Sequence, residues 1–206
     1  MADYLIGYGS FMNAKSRAED GDTVGEALPA IIRGYRRVWN TPDGDQTAVG
    51  CIPYEGSIVT GAIALAASTE DFSGFDARET GYGRTRIPLV ELVSYPRLAL
   101  PKEGFGHIYV AQEDLAFPSE ALPISQAYLD VVLNGCLSFG EEFGNKFGEE
   151  FAKEWVLTTY GWEYPWLNDR KKPRYSVEEV SKERADLIDA ILLETIPEMF
   201  KKRVDE

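Results

Sequence analysis

The first half of the chain is a series of short runs rich in β-forming residues, separated by Gly, Pro, Asp and Asn. They cover Tyr4 to Tyr8, Ile31 to Trp39, Thr47 to Ile52, Ile58 to Ala66, Arg86 to Tyr95 and Phe105 to Ala111, and this spacing predicts strands of a common sheet. Between the fourth and fifth runs, Ser68 is placed to cap a short helix from about Thr69 to Glu79. Glu70 and Asp71 fall in its first turn, where the helix dipole favours anions, and Gly81 supplies a stop.

After Pro123 the period changes. Tyr128, Leu129, Val132, Leu133, Cys136 and Phe139 recur at three and four residues, which predicts an amphipathic helix capped by Ser125. Phe143, Phe147, Phe151 and Trp155 continue at spacing four, a second helical stretch interrupted by Gly140, Gly144 and Gly148, whose aromatic ladder reads as core packing. Ser176 with Glu179 forms a capping box ahead of Val180, Leu187, Ile188, Ile191 and Leu192, so a last helix is expected, ended by Pro197. The segment Tyr160 to Tyr175 mixes aromatics, Asn168, Asp169 and four cations. It reads as a long surface loop, open to service as a lid, a cover over the sheet edge or an oligomer contact.

At 206 residues with 44% apolar content, one domain over 1–206 is expected. The net charge of −13 disfavours broad contact with phosphate backbones or anionic lipid, so neither a nucleic acid nor a membrane partner is expected. No apolar run reaches the length of a membrane span, and the start Met1-Ala2-Asp3 lacks a signal pattern, which points to a cytoplasmic protein. Cys51 and Cys136 sit among apolar residues and read as reduced, buried side chains. One histidine and no cysteines paired at ligand spacing offer no soft-ligand metal site, so none is expected; a carboxylate-bound ion among the 34 acidic residues stays open, although no calcium-loop spacing appears.

Two places can carry chemistry. In Tyr8-Gly9-Ser10-Phe11, the glycine allows a sharp turn that brings successive N–H groups onto one anionic centre, although a Gly-Ser pair after a strand is also an ordinary turn. In the predicted helix, Phe72, Phe75 and Glu79 share a face, so the carboxylate lies on the inward side. Desolvation and the helix C-terminus would both favour its protonated form, as a proton shuttle requires. Arg78, Arg84 and Arg86 pull the other way, and spacing leaves open a structural ion pair with one of them. His107, in GFGHIYVA, has no partner at a defined spacing and reads as a strand residue.

YGSF at the end of the first strand, GYRRVW some two dozen residues later, FDARETGYGRTRIPL, and ISQAYLDVVLNGCLSFG together resemble the γ-glutamylcyclotransferase family, closest to its ChaC-like and AIG2-like bacterial branches. The resemblance spans Tyr4 to Phe143, within a core of about 3–143 followed by a C-terminal helical extension of about 144–206. It implies a mixed α+β fold, a small β-barrel flanked by helices. It further implies cofactor-free release of 5-oxoproline from a γ-glutamyl amino acid, a peptide such as glutathione, or an amine. On this chain it places the catalytic acid/base at Glu79, and the substrate-binding loop at Leu5, Ile6, Gly7, Tyr8, Gly9 and Ser10, with Tyr128 a further binding residue. Phe11 departs from the Asn or Leu of many members, which bears on substrate choice. A non-catalytic ligand-binding or interaction protein of the same fold, or a hydrolase of another amide, remains the alternative.

Overall fold

The computed structural model describes residues 2–20, 23–66, 72–79, 81–95, 98–111, 116–175 and 180–206. Strand β1 (Asp3–Gly7) runs through the middle of a mixed sheet. Before the sheet doubles back come helix α1 (Ala14–Asp20) and the long hairpin of β2 (Thr23–Asp43) and β3 (Gln46–Ala66). Helix α2 (Phe72–Arg78), β4 (Tyr82–Pro88), β5 (Val93–Ser94) and β6 (Phe105–Ala111) follow. β1 pairs antiparallel with β3 and parallel with β6, and β6 pairs antiparallel with β4.

The second half supplies β7 (Ile124–Ser125), α3 (Gln126–Phe143), α4 (Asn145–Leu157), β8 (Thr159–Tyr160), β9 (Trp166–Asn168), α5 (Lys182–Thr195), α6 (Pro197–Phe200) and β10 (Val204–Asp205). Ten strands join one sheet among the described residues, in a main path β10-β9-β7-β3-β1-β6-β4, with β2 on β3 and the short β5 and β8 on β2. The fold is thus the expected mixed α+β class. The expected barrel takes the form of a sheet whose main path is not closed by pairing of its ends among the described residues.

The hairpin differs most from the sequence reading. β2 and β3 are each 21 residues long, where shorter strands, two of them within β3, are expected. Pro53-Tyr54-Glu55-Gly56 suggests a break, and the register does skip from Pro53 opposite Tyr35 to Ile58 opposite Arg33, yet the same strand resumes beyond it. Three register shifts, at Val24/Leu28, Arg33/Tyr35 and Trp39/Thr41, bend the ribbon and let so long a pair wrap the core. The expected strand Arg86–Tyr95 stops instead at Pro88, which lacks an N–H for the ladder, and a 3₁₀ turn (Leu89–Glu91) precedes β5.

Ser125 caps α3 as expected, its Oγ accepting from the Tyr128 N–H at 3.1 Å. Only Gly144 (φ +97°) divides α3 from α4, while Gly140 and Gly148 stay inside the helices. Ser68 and the expected helix start Thr69–Asp71 lie outside the described residues, as do Ser176 and Glu179. The described last long helix is capped by Ser181, whose Oγ accepts from the Arg184 N–H; it stops at Thr195, just ahead of Pro197, which also opens α6.

Side-chain alternation along β1 feeds two cores. Ile6 joins the large one, between the sheet and α3 to α5, where Phe151 and Trp155 are fully buried and the aromatic ladder packs as expected. Leu5 faces a smaller cluster with Phe72, Phe75 and Tyr109, beneath α2. The C-terminal helices therefore share the main core rather than appending to it. The segment Tyr160 to Tyr175 is likewise not a surface loop, because Trp162, Trp166 and Asp169 are buried and β8 and β9 belong to the sheet. Cys51 and Cys136 are buried free thiols, and burial pushes Cys136 up to about 12. No described helix is long and apolar enough to cross a membrane.

Candidate active site

A pocket of about 310 Å³ opens where β1 ends. Its floor is the run Leu5 to Phe11. Its other walls are the end of α2 with Phe75 and Glu79, the β2–β3 hairpin tip at 41–44, and a pair of tyrosines, Tyr128 and Tyr175. Every residue that the sequence singled out for the site lines this one space: Leu5, Ile6, Gly7, Tyr8, Gly9, Ser10, Glu79 and Tyr128.

The floor is shaped by the chain's turn out of β1. Ser10–Met12 forms a 3₁₀ turn in which the Met12 and Asn13 N–H groups bond the carbonyls of Gly9 and Ser10 at 3.0 and 2.9 Å. No described group accepts from the N–H groups of Gly9 and Ser10, so both donors are available to a ligand. Gly9 is required by close approach: a Cβ there would lie 2.6 Å from Tyr128 Oη. Phe11 packs on Phe75 and forms part of the wall that a ligand would meet.

Glu79 is half-buried, one residue past α2, and its N–H still bonds the Phe75 carbonyl at 2.9 Å. The Tyr82 N–H in turn bonds the Glu79 carbonyl, so the backbone at this carboxylate is held from both sides. The inward face read from the sequence is the observed one, with Phe72 and Phe75 buried in the small core. Of the three arginines, Arg84 pairs with Asp76 at 3.3 Å and Arg86 lies over the Phe105 ring. The side chain of Arg78 lies outside the described residues.

Tyrosines surround this carboxylate. Burial raises the phenols of Tyr8, Tyr82, Tyr109 and Tyr128, and the charge of Glu79 adds to the rise at Tyr8, Tyr82 and Tyr109. All four are neutral hydroxyls near neutral pH. Tyr8 Oη donates to the Tyr109 carbonyl and Tyr109 Oη to Asp76, both at 2.7 Å, which fixes two of these rings. The pocket therefore brings together a half-buried carboxylate, the backbone of the loop after β1, and a wall of neutral tyrosines. Among the described residues, no group of three or more metal-ligating side chains is present.

Tyr82, Tyr109, Tyr175 and the hairpin tip are lining residues that sequence reasoning missed. Tyr82 stands in the turn directly after Glu79, and Asp43-Gly44-Asp45 is a turn signal beyond the predicted end of the second strand. Tyr175 comes from the segment read as a loop, and packs edge-on against Tyr128 at 5.1 Å. His107, the other titratable candidate, bonds Asp3 at 2.8 Å across β6 and β1 and packs on Phe72, a structural role away from the pocket.

No protein-family model matches the chain, and no curated protein matches it. Among solved structures, a γ-glutamyl cyclotransferase superposes with a TM-score of 0.56 at 13% identity, covering 92% of this chain and 99% of its own. An uncharacterised protein from Homo sapiens superposes at 0.54 with 14% identity, over 91% of this chain and 98% of that one. At such identities the likeness is one of fold.

Proposed function

We propose that this protein is a γ-glutamylcyclotransferase, which releases 5-oxoproline from a γ-glutamyl compound with Glu79 as acid and base. The observation that carries the reading is the meeting of Glu79, the Leu5 to Ser10 loop and Tyr128 around one pocket. The superposition on a γ-glutamyl cyclotransferase of nearly equal extent supports it at the level of fold.

The reaction needs no protein nucleophile, because the substrate's α-amine attacks its own γ-carbonyl. Holding the two groups in line supplies the largest share of the acceleration, since well-aligned intramolecular reactions gain about 7–11 kcal/mol. An α-amine with a pKa of about 8 is mostly protonated at neutral pH, so a base must take a proton before ring closure. Glu79 takes it and gives it to the departing nitrogen as the tetrahedral intermediate collapses, and the second proton that the attacking nitrogen sheds follows through the same carboxylate, so the lactam keeps one N–H and the amine leaves as an ammonium. The loop N–H groups bind the substrate's anionic oxygens, either the α-carboxylate or the oxyanion, and a pre-aimed donor on the latter is worth about 3–4 kcal/mol.

Glu79→Gln is expected to fold and bind substrate while losing turnover by about 10²–10⁴-fold. The check is a mass-resolved panel of glutathione, γ-glutamyl amino acids and γ-glutamyl amines, run on wild type and variant. Near-normal 5-oxoproline release by the variant would remove Glu79 from the mechanism. Free glutamate as product would point to a hydrolase, and binding without turnover by the wild type to a ligand-binding protein.

A further inference from the structure

Arg37, in the GYRRVW motif, has no solvent exposure at all. Its guanidinium bonds only neutral acceptors: Nε to Thr159 Oγ1 at 2.7 Å, Nη1 to the carbonyls of Thr60 (2.6 Å) and Tyr8 (3.2 Å), and Nη2 to the Trp155 carbonyl at 2.6 Å and Thr158 Oγ1 at 2.9 Å. Among the described residues no carboxylate pairs with it. Burial lowers its pKa to about 10, which leaves it cationic near neutral pH. A buried cation of this kind is costly, and an apolar side chain of similar volume would make a cheaper core. Packing alone therefore does not account for an arginine here.

The bond to the Tyr8 carbonyl does. That oxygen also accepts from Trp155 Nε1 at 2.8 Å, so two donors hold it from the core side. In a planar trans peptide the carbonyl and the following N–H point in opposite directions. Fixing the Tyr8 carbonyl toward the core thus turns the Gly9 N–H the other way, and Gly9 lines the pocket. A cation on the carbonyl also polarises the peptide and strengthens its N–H as a donor.

We propose that Arg37 and Trp155 are positioning residues for the reaction, holding the Tyr8–Gly9 peptide so that the Gly9 N–H is aimed at the substrate's anionic group. The inference rests on the γ-glutamylcyclotransferase reading. It adds a charged device behind the loop that touches no substrate.

The experiment compares Trp155→Phe, Arg37→Lys and Arg37→Met with Phe151→Leu, a core change in the same helix with no bond to Tyr8. Each is assayed for 5-oxoproline release below its melting transition, with the folded fraction measured by circular dichroism. Trp155→Phe removes one donor and is expected to lower kcat/KM about tenfold, and Arg37→Met about a hundredfold, per folded molecule. Arg37→Lys, which keeps the charge without the fork, falls between them. Phe151→Leu is expected to lower the melting temperature with kcat/KM unchanged. The loss falls in kcat if Gly9 meets the oxyanion and in KM if it meets the α-carboxylate, and either supports the proposal. If Arg37→Met fails to fold, Trp155→Phe decides. A Trp155→Phe enzyme indistinguishable from wild type, or losses that track melting temperature across all the variants, Phe151→Leu included, overturns the inference alone. A wild type that releases no 5-oxoproline overturns the parent reading and the inference with it.

Discussion

Gly9 has no room for a side chain: a Cβ would stand 2.6 Å from Tyr128 Oη and 3.1 Å from Val49 Cγ2, while the tyrosine's Cζ is 3.9 Å away. Gly9→Ala therefore forces the loop or the phenol to move, and a displacement on this scale in a binding loop is expected to cost about 100-fold in kcat/KM. Removing the hydroxyl reopens most of the space. The double variant Gly9→Ala/Tyr128→Phe is then expected to be more active than the sum of the two single losses implies, a coupling that a double-mutant cycle measures. Strict additivity would show that Tyr128 does not bound the loop. At this scale much of the site is legible from the chain alone. The inward side of Glu79 is readable from its helical spacing from Phe72 and Phe75, while its assigned role comes from the resemblance, and Tyr175 meets Tyr128 only through a tertiary contact that no local pattern encodes.

Among the elements, the segment from β8 to Tyr175 brings one wall residue, Tyr175, to the pocket. Asp169, fully buried, accepts from Ser125 Oγ at 2.8 Å, the Ala127 N–H at 2.9 Å and the Arg174 N–H at 3.0 Å, which joins the start of α3 to the backbone just before Tyr175. Next to it, Arg170 bridges Asp130 on α3 at 2.6 Å and Asp189 on α5 at 2.8 Å. Its aromatics and charges make this stretch look like loop, because its order depends on such long-range partners and not on any local period. Burial raises the Asp130 carboxyl, which Arg170 only partly offsets. Burial would raise Asp189 too, but hydrogen bonds from Arg170 and Arg203 bring it below the ordinary carboxylate range. Asp189 thus contributes stability that is fully present above the unfolded carboxylate pKa and lost as pH falls through its lower folded value. Asp130 acts oppositely, losing stability as pH rises through the interval up to its raised value. Arg170→Met strands Asp130, whose side chain is 6% exposed, and is expected to cost about 3–5 kcal/mol in urea unfolding at neutral pH. The deficit should shrink toward pH ~4, where the stranded carboxyl protonates. A deficit that grows on acidification would show that Asp130 is not the group left uncompensated.

For the whole molecule, the pattern of strands before Pro123 and helices after it is enough to place the fold in the mixed α+β class. The length of β2 and β3 is hidden, because the ladder resumes at Ile58 beyond the irregular stretch that follows Pro53. Charge is the property that acts at this scale most directly. The chain carries −13, and Asp43 and Glu79 are the charged side chains among the described residues that line the pocket. On the proposed γ-glutamylcyclotransferase reading, a net-anionic compound such as glutathione would approach against this field, whereas a γ-glutamyl alkylamine, whose carboxylate and ammonium cancel, would not. Added salt shortens the range of the repulsion to about 10 Å at 0.1 M. Steady-state assays over a salt series should therefore show kcat/KM rising several-fold for glutathione and staying flat for the alkylamine, with the two substrates converging at high salt. A fall with salt for glutathione would mean that a local cation draws in its second carboxylate and outweighs the molecular field. The selectivity of the pocket would then be set by that cation and not by the overall charge.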